Sequence, residues 1–445
     1  MKILRLAIPA IVTNITVPLL GLVDTSITGH LDNVAYIGAV SVGSMLFNMI
    51  YWNFGFLRMG TSGLTAQAFG RRDFESVANV LFRALFFAFA FAVLIGLIQF
   101  PVIYLAFHWM KASPEVEMFA RQYFYICIWG APAILGMYAF KGWFIGMQNT
   151  FFPMIIAVSM NVVNIIASLF FVFALHWGVA GVASATLLAQ YVGLTMAFVL
   201  WCWRYKRFWK YLNFSKAMEC DGLKAFFSIN GGIFLRTLCL NAVMSFFTFA
   251  GARFGDVILA VNVLLMQMFN LFSYFTDGFA YAGEALVGKY LGANNRSELV
   301  LSINAIFRWG VVLVLVFSFV YAIGAIPFIH ILTTEDQVRA LAPSFFGWVV
   351  LVPIVGVSAF LWDGIMVGAT LVKPMISATF LACLSFFVVF GGSILLSRID
   401  GFACLASPCG LNHSLWLAFI VYLLVRGLVQ HFWMRNNWSI RLSLF

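Results

Sequence analysis

The sequence predicts an all-α polytopic membrane protein: twelve transmembrane helices in two six-helix lobes related by pseudo-two-fold symmetry along the membrane normal. Three observations carry this expectation: a composition too apolar for water, twelve apolar runs long enough to span a bilayer, and an internal repeat. Of the 445 residues, 63% are hydrophobic and 9% charged, and the mean hydropathy is +0.99. A soluble domain carries roughly 25% charged residues, so most of this chain cannot face water. The net charge of +10 would suggest nucleic-acid binding in a soluble protein. Here the bases fall in short loops between apolar runs, as determinants of membrane orientation do, and no nucleic-acid partner is expected. The seven cysteines form no CxxC pair, so no zinc or redox motif is present.

Taken in order, the runs lie at 6–29, 37–64, 77–107, 119–147, 152–175, 178–203, 224–252, 257–288, 300–332, 340–369, 372–397 and 412–434. Each reaches the about 20 residues that a helical span needs. The first follows Lys2 and Arg5 as a signal peptide would. It is too long for an h-region and lacks a small-residue cleavage site, so it reads as a retained span. The one sizeable polar stretch separates an N-lobe (1–203) from a C-lobe (224–445) as a cytoplasmic linker (204–223). With the N-terminus inside, 18 bases fall on the cytoplasmic side and 5 (Lys111, Arg121, Arg253, Arg339, Arg398) outside, leaving Arg58, Lys141 and Arg236 in the membrane. The positive-inside rule therefore makes both termini cytoplasmic. The repeat has an offset of 222: Phe47 and Asn48 align with Phe269 and Asn270, Leu64 and Gly70 with Leu286 and Gly292, and Gly142 and Gly146 with Gly364 and Gly368. Two parallel halves are a secondary-transporter layout.

Intramembrane charges are costly, about 2.5–3.5 kcal/mol each on insertion scales, and so mark function. They are Asp24, Arg58, Lys141, Arg236, Asp277, Glu284 and Asp363. For Arg58 and Glu284, nearer the cytoplasmic ends, snorkelling or structural pairing is an equal explanation. Asp24, Asp277 and Asp363 are too short to snorkel. In span 5, Asn161, Asn164 and Ser168 share one helix face, which should turn inward to hydrogen-bond a neighbour, as ion site or as helix glue. Pro18, six residues before Asp24, leaves the Asn14 carbonyl without a helical donor and makes a hinge. Arg236, Asp277, Glu284 and Asp363 form a candidate C-lobe ion or substrate site, or a buried ion-pair network. Cys404 and Cys409 share an outer loop and are candidates for a disulfide. Most of the 50 Phe and 18 Met read as lipid-facing or packing residues. No HExxH, GxxxxGK[ST] or GxSxG stands in a workable setting, so the chain is not expected to be an enzyme.

The segments NITVPLLGLVDTSITGHLD (14–32), LRMGTSGLTAQAFG (57–70), TDGFAYAGEALVGKYLGA (276–293) and LWDGIMVGAT (361–370) resemble the MATE (multidrug and toxic compound extrusion) family, and its DinF-like branch most closely. The resemblance spans residues 3–434. It implies alternating access and export of amphipathic or cationic organic compounds against H+, or Na+, with no cofactor, by a monomer in the lipid of the bacterial cytoplasmic (inner) membrane. Asp24 matches the family's N-lobe protonatable aspartate and Asn164 its partner, while Asp277 and Asp363 match acidic C-lobe positions. Ser168 stands where the branch usually has an aspartate, and Lys141 where an uncharged residue is usual. A Lys141–Asp24 pair in one conformation, with Lys141 about three turns from the cytoplasmic end of span 4, is a further expectation, with a lysine in a wet cavity as the alternative. Two other functions compete. A lipid-linked saccharide flippase of the same superfamily would need several cations in its cavity, whereas the span tally here is three bases against four acids. A channel lacks a pore-loop signature.

Overall fold

The computed structural model describes residues 2–30, 34–110, 113–399 and 406–442. The chain divides into two compact units, Ile8–Asn230 and Met1–Ala7 with Gly231–Phe445. The first holds most of α1 (Lys2–Gly29), then α2 (Val34–Asn53), α3 (Phe56–Gly70), α4 (Phe74–Met110), α5 (Pro114–Cys127), α6 (Ala131–Gly146), α7 (Phe151–Leu169), α8 (Gly178–Tyr205) and the short α9 (Phe214–Ala217). The second is built from most of α10 (Cys220–Arg253), α11 (Asp256–Gly292), α12 (Arg296–Leu332), α13 (Asp336–Leu341), α14 (Phe346–Gly368), α15 (Val372–Leu396) and α16 (Pro408–Leu442). Eleven helical stretches among the described residues are long and apolar enough to cross a membrane. α1, at 28 residues, has the length for a twelfth. A helix is the one open-ended element that satisfies its backbone in hydrocarbon, and the apolar runs of the sequence are helical, the run 37–64 being broken by a turn at 54–55 between α2 and α3.

The 222-residue offset recurs in the backbone. Arg72 (φ 59°) and Asn294 (φ 52°) hold left-handed conformations at equivalent positions, as do Gln148 (φ 63°) and Thr370 (φ 54°). Each closes a helix by reversing the chain beyond its last turn. The next helix in each half is capped alike: Asp73 Oδ1 accepts from the Ser76 amide at 3.0 Å, and Asn295 Oδ1 from the Glu298 amide at 3.1 Å. Glycines set the closest helix approaches. A Cβ on Gly142 would overlap the Arg58 carbonyl, and one on Gly146 the Ser62 carbonyl and Thr65. In the second half, Gly364 meets the Ala280 backbone and Gly368 that of Glu284. Small residues let helices approach this closely where no hydrophobic drive exists between them.

Three features depart from the sequence reading. Residues 206–217 are not a detached linker: Phe208 is buried against Trp143 and Phe74, with centroids 5.8 Å apart in each case, and Arg83 Nε donates to the Ala217 carbonyl at 2.8 Å. The first turn of α1 belongs with the second unit, where Lys2 Nζ donates to the Tyr290 hydroxyl at 3.2 Å and pairs with Glu298 at 3.5 Å. α7 ends in a π-helical turn over Phe170–Ala174, a widening that often accompanies functional sites. Cys404 lies outside the described residues, and Cys409 is an exposed free thiol, so the expected pairing falls outside the described structure.

Candidate functional site

In the first unit the site is assembled from α1, α5, α7 and α8. Asp24 is buried on α1, its carbonyl accepting from Thr28 Oγ1 at 3.0 Å. Its side-chain Oδ1 is buried without a hydrogen-bond partner among the described residues. Tyr123 and Cys127 of α5 lie within its electrostatic range. Asn161 Nδ2 donates to the Thr16 carbonyl at 2.7 Å and so ties α7 to α1 just before Pro18. Asp24 is eight residues beyond Thr16, and Ser168 seven beyond Asn161. At 1.5 Å per residue both lie about 11–12 Å along their own helices from that bond. Asn164 Nδ2 donates to Thr186 Oγ1 of α8 at 3.1 Å. Asn164 Oδ1 and Ser168 Oγ, like Asp24 Oδ1, are buried without partners among the described residues. An unpaired buried oxygen is destabilised by about 1–3 kcal/mol, and three of them lie on these two tied helices. α1 continues as helix through Pro9 and Pro18.

Lys141 does not pair with Asp24 in this conformation: no ion pair joins them among the described residues, and its electrostatic neighbour is Arg58. α6 ends five residues after Lys141, not three turns after it. Lys141 is half-buried, and its neighbour Gly142 packs level with Arg58 of α3. α3 runs a further twelve residues, about 18 Å, beyond that level. Lys141 and Asp363 are equivalent in the 222-residue repeat, so the two halves put opposite charges beside the same close-packed glycine.

The second unit answers that charge fully. Asp363 Oδ2 accepts from both Arg236 Nη2 of α10 and Arg426 Nη2 of α16, and Oδ1 accepts from Gln430 Nε2 at 2.7 Å. All four residues are buried. This corrects the sequence reading at Arg426. The charge count places Arg426 with the cytoplasmic flanks; the structure places it in the interior, which makes the intramembrane tally four bases against four acids. The excess of acid that weighs against an anionic, lipid-linked saccharide substrate is gone. The carboxylate is held from α10 and α16; on α11, Glu284 is buried and Asp277 half-buried. Arg426 and Gln430 were legible as an i, i+4 polar pair on one face of an apolar run. Tyr123 and Thr186 carried no distinguishing signal.

A chain of this fold, with unsatisfied oxygens and neutralised charges buried in its spans, is a membrane transporter and not an enzyme. The MatE family model matches residues 9–170 and 233–391, and the chain belongs to that family. It is 36% identical over 438 residues, 98% of this chain and 92% of the relative, to DNA damage-inducible protein F of Escherichia coli (strain K12). It is 25% identical over 349 residues, 76% of this chain and 57% of the relative, to Multidrug and toxin extrusion protein 1 of Danio rerio. A crystal structure of MATE in the bent conformation superposes with a TM-score of 0.84 at 22% identity, covering 100% of this chain and 95% of that one. A mutant of the Vibrio cholerae MATE transporter VcmN gives 0.82 at 18% identity, covering 98% and 97%.

Proposed function

We propose that this transporter is an ion-coupled antiporter exporting amphipathic organic compounds by alternating access, with Asp24 as the coupling carboxylate. It would work as a monomer in a bacterial cytoplasmic membrane with both termini inside. The observation that carries the reading is the contrast between two buried aspartates. Asp363 has both oxygens bound by Arg236, Arg426 and Gln430, so little is left to attract an ion. Asp24 Oδ1 has no hydrogen-bond partner among the described residues. Protonation of Asp24 removes a charge that is costly in hydrocarbon, so its cycle of proton gain and loss changes which packing of α1 is favoured. Proton coupling needs this one group. Sodium coupling is the second reading, favoured by the bare oxygens of Asn164 and Ser168 on the tied helix, since hard cations take several oxygen ligands. With bases and acids balanced in the spans, cationic and neutral amphiphiles are both admitted.

The test is efflux of a fluorescent amphiphile from proteoliposomes under an imposed proton or sodium gradient. The Asp24→Asn variant should fold and bind the compound yet lose gradient-driven export. Undiminished export by that variant, at equal reconstitution, removes Asp24 from the mechanism. Export driven by sodium alone favours the second reading.

A further inference from the structure

We infer that the segment between α8 and α9 is a binding platform for anionic phospholipid headgroups. α8 crosses the membrane and ends at Tyr205; Lys206–Tyr211 then forms a 3-10 helix. Its buried side is fixed by Tyr205 and Phe208, packed on Trp143, Phe74 and Phe144. The Asn213 amide donating to Asn79 Oδ1 and Arg83 donating to the Ala217 carbonyl hold the following residues down. The platform is therefore part of the compact first unit. Its outer side carries Arg204, Lys206, Arg207 and Lys210, all exposed, with Trp203 (74%) and Trp209 (51%) exposed among them.

None of these four cations forms an ion pair among the described residues, whereas the nearby Lys216 is bound to Glu75 at 2.7 Å. Between Trp203 and Met218 the sequence contains no acid. The protein thus neutralises the base that faces its own body and leaves four others without a carboxylate at a helix end, Arg207 and Lys210 lying over the Phe208 and Tyr211 rings. Exposed tryptophans there mark the headgroup level, where an amphipathic ring has its apolar body in acyl chain and its N–H in the polar layer. Clustered bases directly beyond a span bind anionic lipid by charge attraction that dies away within a Debye length. The complementary occupant is a leaflet surface whose phosphates carry uncompensated charge, such as phosphatidylglycerol, and not a zwitterionic one.

The experiment uses the full chain in phosphatidylcholine vesicles containing 0 to about 30 mol% phosphatidylglycerol, with bromine placed on the acyl chains of one lipid at a time. Trp209 quenching is obtained by subtracting the Trp209→Phe signal. Brominated phosphatidylglycerol should quench Trp209 at least about twofold more than brominated phosphatidylcholine at equal mole fraction, reflecting local enrichment. The triple variant Lys206→Gln, Arg207→Gln, Lys210→Gln should abolish that preference while keeping its elution profile and thermal midpoint. Equal quenching by the two lipids in the unaltered chain overturns the inference, as does a preference that survives the triple variant. Loss of the preference on adding millimolar inorganic phosphate at constant ionic strength also overturns it, in favour of a soluble-anion site.

Discussion

Two buried aspartates with opposite surroundings set the residue-scale expectations. Asp363 compensates two guanidiniums in the interior of the second unit. Breaking a buried pair by removing one partner costs about 3–5 kcal/mol, so Asp363→Asn should lower the thermal midpoint of the detergent-purified protein sharply. Asp24→Asn removes a carboxylate whose Oδ1 has no partner among the described residues and should leave the midpoint unchanged or higher. A similar loss in both variants would make the contrast wrong. Lys141 has a separate test. Because Arg58, not Asp24, is its electrostatic neighbour, Lys141→Leu should leave the pH optimum of export where it is. A moved optimum would show that the Lys141–Asp24 pair forms in another conformation.

At the scale of helix pairs, the equivalent glycines make a matched prediction. Gly142→Ala drives a methyl group into the Arg58 carbonyl, and Gly364→Ala into that of Ala280. Overpacking of this kind costs about 1–3 kcal/mol, and it should appear in both halves as a lowered thermal midpoint. Gly392 sits inside α15 with nothing within 4 Å of where a Cβ would stand. There Ala removes only backbone freedom, so Gly392→Ala should stabilise by about 0.5–1 kcal/mol. If all three behaved alike, the close approaches would not be what holds these helix pairs in register.

For the whole molecule the testable quantity is orientation. Moving Arg426 from the flank to the interior leaves 17 bases on the side of the N-terminus against 5 opposite, still a strong bias under the positive-inside rule. A cysteine introduced at Lys206, on a background lacking native cysteines, should resist an impermeant maleimide in intact cells, and one at Glu335 should react. The reverse pattern would invert the topology.

Composition alone determined the environment, because a chain with 9% charge cannot be covered by water, and run length determined the helices, because hydrocarbon admits little else. The offset of 222 was legible because it is carried by residues whose backbone roles are local: turns that reverse a chain, caps and contact glycines. Asp24, Asn161, Asn164 and Ser168 were legible as candidates because polarity in an apolar run stands out. Tertiary structure alone decided what each charge meets. Arg426 and Arg236 lie 63 and 127 positions from Asp363, and no local pattern reports a neighbour on another helix. The same holds for Lys141 and Asp363: spacing shows them equivalent, but only packing shows one carboxylate bound by two guanidiniums and its lysine counterpart facing another cation. Partners of a buried charge are set by how helices cross, and helix crossing is a property of the assembled fold.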